Sequence, residues 1–159
     1  MSLGGTGSVR MLVSALVLAA ALGGGGSARA AQAQDRACGL LTLDEVRAAT
    51  GLAVEAAKAV TTPQGDPACA FRGPGRAKLG VVLHEPGGKA LFESTRARLG
   101  PAVVGVAGLG DDAYARETGP VQAVTVLKGD SAVSVSFLLG APGSLPKLEE
   151  LARKALARL

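Results

Sequence analysis

The sequence predicts one α+β domain: a mainly antiparallel sheet with three helices packed on it, in the order α-β-β-β-α-β-β-β-α. A chain of 159 residues has room for one ordinary hydrophobic core. Apolar residues recur at helical spacing in three segments and alternate in the segments between them, without the regular strand–helix–strand succession of a parallel sheet. With 48% hydrophobic and 19% charged residues, the composition excludes a disordered, collagen-like or disulfide-dense chain.

Residues 1–30 have the pattern of a secretory signal peptide. Arg10 precedes an apolar core at residues 11–22, and small residues follow it. A membrane anchor would need about 20 apolar residues, and this core is too short. We therefore expect export to the periplasm or the cell exterior, a polar lead-in at residues 31–37, and a folded domain at residues 38–159 with no transmembrane segment.

The predicted cleavage site is Ala28-Arg29-Ala30, which has small residues at the two positions that signal peptidase reads. A second site of the same type, Ala31-Gln32-Ala33, lies three residues further on. Cleavage after Ala30 removes two of the 17 basic residues and none of the 13 acidic ones. The mature chain is therefore only weakly basic, and since it has no cluster of Lys and Arg we expect no nucleic-acid partner.

The chain has two cysteines, Cys38 and Cys69, and export would bring both into an oxidising compartment. An even number of cysteines in such a compartment favours a structural disulfide. A redox pair normally has the spacing C-x-x-C, and a zinc site needs four ligands. Cys38 also lies too far from the apolar core to be a lipid-attachment site.

The first predicted helix begins with a capping box, in which Thr42 is the N-cap and Glu45 the third helical residue. Gly51 is the expected C-terminal stop. An extended segment at residues 53–61 follows, and then a loop at residues 62–67 that is rich in Pro, Gly and Asp.

Two strands at residues 68–72 and 77–84 flank a turn that contains two glycines and a proline. The second helix is predicted at residues 89–99, where apolar residues have helical spacing, and Gly100 with the proline after it ends the helix.

Residues 113–115 are expected to return to the sheet. The last two strands are predicted at residues 121–128 and 131–139, joined by the two-residue turn Gly129-Asp130. The last helix is predicted at residues 144–159, with Ser144 as its N-cap.

His84 is the only histidine and therefore the only candidate for a histidine general base. No G-x-S-x-G motif is present, so a hydrolase with a serine nucleophile is not favoured. The sequence predicts no catalytic residues, and we expect the protein not to be an enzyme.

The segment from Gly108 to Ala113 matches G-x-G-x-x-A by letters. A dinucleotide site needs a long helix after this motif, whereas Pro120 follows within a few residues and two aspartates would repel phosphate. Asp111 and Asp112 are also too few for a calcium site. We expect neither a cofactor nor a metal.

The same segment is the candidate binding loop, because its glycines expose backbone amides beside an aromatic ring. The candidate residues are Gly108, Gly110, Asp111, Asp112 and Tyr114. The alternative is a tight connection in which glycine only satisfies the backbone geometry.

Several short motifs give the chain a resemblance to small exported proteins and lipoproteins of unknown function from actinobacteria and other high-GC bacteria. They are Cys38-Gly39-Leu40-Leu41-Thr42, Cys69-Ala70-Phe71, the segment from Gly108 to Tyr114, and Lys128-Gly129-Asp130. The resemblance implies an envelope-associated domain, a Cys38–Cys69 disulfide and no established enzymatic activity. Unlike the lipoproteins, this chain has no lipid-attachment cysteine after its signal.

The function expected from the sequence is a non-catalytic, exported binding domain, a monomer that engages an envelope protein or a small ligand. The contact would involve the loop at residues 105–114 or one face of the sheet. Two alternatives remain open: a secreted inhibitor of an extracellular enzyme, and a hydrolase that uses His84 or an aspartate.

Overall fold

The computed structural model describes residues 25–75, 77–118, 120–137 and 144–159. Most of the predicted signal peptide, residues 1–24, lies outside this part of the chain, as do residues 138 and 139 of the last predicted strand.

The described residues form four α-helices and seven strands. The helices are α1 (Gly25–Gly39), α2 (Leu43–Thr50), α3 (Gly88–Leu99) and α4 (Leu145–Leu156). The strands are β1 (Ala56–Thr61), β2 (Pro67–Arg72), β3 (Ala77–His84), β4 (Val103–Gly105), β5 (Asp112–Thr118), β6 (Val121–Lys128) and β7 (Ser131–Phe137).

All seven strands belong to one antiparallel sheet with the order β1-β2-β3-β7-β6-β5-β4. Two meanders, β1 to β3 and β4 to β7, meet where β3 pairs with β7. Helix α3 and a short 3-10 turn, Gly100–Ala102, connect the centre of the sheet to its far edge. The α+β class and the predicted order of elements are confirmed.

The helices divide unequally between the two faces of the sheet. Helices α1 and α4 pack on one face, with α2 against α4, over the main core. Helix α3 packs on the opposite face over a smaller cluster that contains Phe92, Tyr114, Leu127 and Ala132. We call this second face the α3 face, and much of it is not covered by a helix among the described residues.

The start and end signals of α2 act as the sequence predicts. The Thr42 side chain accepts a hydrogen bond from the backbone N–H of Glu45, and the Glu45 carboxylate accepts one from the backbone N–H of Thr42. Gly51 ends the helix in the left-handed conformation, with φ of 69°. Gly100 likewise forms the C-cap of α3.

The structure differs from the sequence prediction at two elements. Residues 31–37, expected as a polar lead-in, are part of helix α1, and Ala37 is fully buried in the main core. The three-residue strand β4 was also not predicted. It pairs with β5 at the edge of the sheet, between the second predicted helix and the return to the sheet at residues 113–115.

Cys38 and Cys69 form a disulfide with a Cα–Cα distance of 4.8 Å, which confirms the predicted pairing. The bond links the end of α1 to the middle of β2. It therefore fixes α1 on the sheet, and its formation is compatible with an oxidising compartment. None of the helices in the described segments is both long and apolar enough to cross a membrane.

Candidate binding groove on the α3 face

The centre of the α3 face carries small side chains. Pairing of β2, β3, β7 and β6 brings Ala70, Gly80, Ser136 and Ala123 into one row across the sheet. These residues project little, but none of them lines the cleft beside α3. A groove of about 410 Å³ lies between this helix and the β1–β2 turn, within the size range of small-ligand sites.

The floor of the groove combines hydroxyl groups with apolar surface. Val82, Ser134 and Thr125 are paired across β3, β7 and β6 and all line the groove. The Thr125 hydroxyl donates a hydrogen bond to Ser134 Oγ at 3.2 Å. Tyr114 continues the row on β5, and its ring centroid lies 4.9 Å from that of Phe92 beneath α3. This packing holds the aromatic ring at the groove wall.

Helix α3 forms one side of the groove through one helical stripe. Leu91, Thr95 and Arg98 are spaced four and three residues apart, so they lie on the same face of the helix, and all three line the groove. Leu91 is 40% exposed, which is unusual for a large apolar side chain in this protein. The helix thus presents an apolar group and a guanidinium on the same side.

Arg116 adds a second positive charge from β5. It lies two residues after Tyr114, on the same face of the strand, and lines the groove. Within the described part of the chain, neither Arg98 nor Arg116 forms an ion pair. Both guanidiniums therefore have donor groups available to a ligand.

The β1–β2 turn supplies the opposite side, where the charge is negative. Asp66 Oδ1 lies 3.0 Å from His84 Nδ1, within ion-pair distance. The two atoms are nevertheless not aligned for a hydrogen bond, and the buried Nδ1 has no hydrogen-bond partner among the described residues. Thr62 donates to the other oxygen of Asp66 at 3.3 Å. The groove thus has a carboxylate on one side and two arginines on the other.

The environment of His84 bears on the hydrolase alternative. Its ring lies against Asp66 and lines the groove, with 17% of the side chain exposed. Among the described residues it forms no hydrogen bond with a hydroxyl group or a thiol, as a base does with its nucleophile in a serine or cysteine hydrolase. In the same residues, no group of three His, Cys, Asp or Glu side chains is arranged to hold a metal.

The glycines of the predicted binding loop have structural roles. Gly108 and Gly110 have φ of 72° and 65°, which L side chains adopt only with strain. A Cβ atom on Gly110 would lie 2.3 Å from the carbonyl oxygen of Leu127, whereas one on Gly108 would meet open space. The loop therefore packs directly against β6.

The two aspartates of this loop hold it to its neighbours. Asp111 accepts a hydrogen bond from the backbone N–H of Gly129 at 2.7 Å, which ties the loop to the β6–β7 turn. Asp112 forms an ion pair with Arg96 and accepts a hydrogen bond from the backbone N–H of Ala113. Of the five predicted loop residues, Tyr114 alone lines the groove.

Sequence reasoning did not single out Arg98, Arg116 or Asp66. Two sequence patterns could have identified the arginines. Arg98 lies on the same helical stripe as Leu91, and Arg116 lies on the same strand face as Tyr114. Asp66 lies in a turn without periodicity, so only the fold shows that it meets His84.

The fold defines a single-domain α+β protein with a small, open groove on one sheet face. The chain matches no protein-family model, and a search of curated proteins gives no similar sequence. Among solved structures, it is similar to the crystal structure of a GTP binding regulator from Thermotoga maritima. The TM-score is 0.51 at 10% sequence identity, and the match covers 80% of this chain and 90% of the other. At this identity the similarity concerns the fold alone.

Proposed function

We propose that the protein is an exported, non-catalytic binding domain whose ligand site is the groove on the α3 face. The observation that carries this proposal is the groove itself, in which two arginines without an ion-pair partner among the described residues lie beside a floor of hydroxyl groups and apolar surface. A few polar groups converging on a partly apolar cleft are typical of small-ligand sites.

Two further observations support export, and a third supports binding rather than catalysis. The N-terminal segment has the pattern of a signal peptide, and a disulfide joins α1 to the sheet. The only histidine faces Asp66 rather than a nucleophile. The groove is preferred to the loop at residues 105–114, because the polar side chains of that loop are engaged within the protein.

The experiment compares two serines on β7. Ser134 lies on the groove floor, whereas Ser136, two residues further on the same face, does not line the groove. Replacing Ser134 with Leu should fill the floor, and Ser136→Leu adds the same volume outside it. Both variants should fold, since both side chains are only half-buried.

A thermal-shift screen of the oxidised protein against anionic, neutral and cationic small molecules is the measurement. We expect compounds that raise the melting temperature of the wild type and of Ser136→Leu but not that of Ser134→Leu. If no compound stabilises the protein, or if Ser134→Leu responds like the wild type, the groove is not the site and the proposal fails.

A further inference from the structure

The connection from α3 to the sheet brings Arg98 and Arg116 to the same side of the groove. Arg98 lies in the last turn of α3, and the 3-10 turn leads from there directly to Val103. Val103 is paired with Arg116 across β4 and β5. Two guanidiniums from different elements, α3 and β5, thus line one cleft.

Four arginines of the described chain form ion pairs with carboxylates. The ion pairs are Arg36–Glu85, Arg47–Asp44, Arg96–Asp112 and Arg158–Glu45. Arg72 and Arg153 have no such pair either, but neither of them lines the groove. Arg98, which is exposed, and Arg116, which is half-buried, therefore differ from the others in being unpaired arginines that line one cleft, where both can donate charge-assisted hydrogen bonds to the same anion.

The surface next to these arginines is apolar. Leu91 precedes Arg98 by two helical turns and is 40% exposed, and Val82 and Tyr114 also line the cleft. A ligand that covered Leu91 would bury an apolar side chain now in contact with water. A free inorganic anion would leave this part of the groove unfilled.

The opposite side of the groove limits the charge of the ligand. The carboxylate of Asp66 faces the cleft and is 27% exposed at its side chain. A second negative group at that side would be repelled by it. The groove therefore favours one anionic head group at the arginine side and an uncharged remainder.

We propose that the ligand of the groove is a small organic anion. A carboxylate or phosphate head is held by Arg98 and Arg116, and its apolar body lies along Leu91, Val82 and Tyr114. This inference rests on the proposed function of the groove and names the chemical class of its ligand.

The probe for this class is 8-anilinonaphthalene-1-sulfonate, a fluorescent organic anion. Its neutral counterpart is N-phenyl-1-naphthylamine, which lacks the sulfonate. We expect saturable binding of the anionic dye to one site on the oxidised protein. Arg98→Gln and Arg116→Gln should each weaken its binding about tenfold, as expected for the loss of one charge-assisted contact. The neutral dye should bind both variants as it binds the wild type.

Arg153→Gln is the matched control, because Arg153 is an exposed arginine on α4 that does not line the groove. It should leave the affinity for the anionic dye unchanged. Circular dichroism and the melting temperature verify that all three variants are folded.

Competition then distinguishes the two head groups. Octanoate and octyl phosphate are added to the complex of wild-type protein and dye, with octanol as the neutral competitor of equal chain length. Displacement by octanoate supports a carboxylate head, and displacement by octyl phosphate supports a phosphate head. The inference is overturned if the anionic dye does not bind, if both arginine variants bind it like the wild type, or if octanol competes as well as the two anions.

The two proposals fail separately. If neutral compounds stabilise the protein in a manner that depends on Ser134, while the arginine variants bind the anionic dye unchanged, the groove is a binding site for another class of ligand. If Ser134→Leu binds every compound like the wild type, the groove is not the site at all.

Discussion

Arg158, just beyond the end of α4, forms a two-pronged salt bridge with Glu45 in the first turn of α2. Nη1 and Nη2 of the arginine donate to Oε2 and Oε1 of the carboxylate, each at 2.8 Å. Nη1 also donates to the carbonyl oxygen of Leu40 at 2.8 Å. The hydrogen bond from Arg158, with smaller contributions from Thr42, lowers the pKa of Glu45 to about 2 in spite of partial burial. The last helix is thereby linked to the capping box of α2.

This salt bridge makes a stability contribution that depends on pH. The pKa of Glu45 is lower in the folded state than the usual value of 4.5, so the contribution is complete above pH 4.5 and is lost as the pH falls towards 2. Because the pair is partly exposed to solvent, we expect about 1 to 2 kcal/mol rather than the full linkage value. Urea unfolding at pH 6, 4.5 and 2.5 measures it.

The variants Arg158→Gln and Arg153→Gln separate this pair from the general effect of acid. Arg158→Gln should lower the free energy of unfolding at pH 6. Between pH 4.5 and 2.5 its free energy of unfolding should fall less than that of the wild type. Arg153→Gln should behave like the wild type, since Arg153 forms no ion pair in the described chain. Equal acid sensitivity in all three proteins would show that Glu45 does not carry the effect.

The disulfide between Cys38 and Cys69 should supply a large share of the stability. It closes a loop with a sequence separation of 31, for which the chain-entropy model gives about 3.5 to 4 kcal/mol. Replacing both cysteines with serine should lower the free energy of unfolding by about this amount in a denaturant titration. Reducing agent should have the same effect on the wild type and none on the double variant.

Loss of the disulfide should also loosen α1 before the rest of the fold. Apart from its core contacts, two side-chain contacts then remain between the described part of α1 and the sheet region: Gln34 with Thr61, and Arg36 with Glu85. Both lie at exposed positions and are weak. Hydrogen exchange should accelerate in α1 of the reduced protein more than in α4. Uniform acceleration along the chain would contradict a local role for the bond.

The sequence predicts best the elements whose ends are set by interactions between neighbouring residues. The Thr42–Glu45 capping box and Gly51 fix the ends of α2 within a few residues of sequence, so both could be recognised without the fold. Helix α1 was missed because its residues were assigned to the end of a signal peptide and a lead-in. The run of helix formers up to Cys38, without Gly or Pro after residue 26, was the available signal.

The site was harder to predict, since it depends on which charges meet in three dimensions. Arg96 and Arg98 are two residues apart on α3, yet Arg96 meets Asp112 whereas Arg98 lines the groove. Nothing in the local sequence distinguishes them, because the partner comes from β5. The glycines that point to the candidate loop have structural roles: Gly110 allows its close packing against β6, and Gly108 adopts a positive φ.

Two glycines in that loop allow a direct test of its structural role. Gly108→Ala introduces strain from the positive φ alone, and we expect a loss of about 1 kcal/mol. Gly110→Ala adds a Cβ atom 2.3 Å from the Leu127 carbonyl oxygen, so the loss should be at least about 3 kcal/mol. Urea unfolding measures both.

Dye binding by Gly108→Ala distinguishes the loop from the groove as the binding site. The variant should remain folded and bind 8-anilinonaphthalene-1-sulfonate like the wild type, because Gly108 does not line the groove. Weaker dye binding by this folded variant would restore the loop as the site. If Gly108→Ala and Gly110→Ala destabilise the protein equally, the close approach of Gly110 to β6 is not the reason that glycine is needed at position 110.

Signal cleavage can be measured on the N-terminus of the exported protein. When the full chain is expressed in a bacterial host, we expect the mature protein to begin at Ala31, because small residues occupy positions 28 and 30. The shortened α1 keeps Gln34 and Cys38, and hence its hydrogen bond to the sheet and its disulfide. Mass spectrometry of the N-terminal peptide gives the start. Ala30→Leu should move cleavage to the second site, so that the chain begins at Gln34. An intact N-terminus on protein retained inside the cell would contradict export.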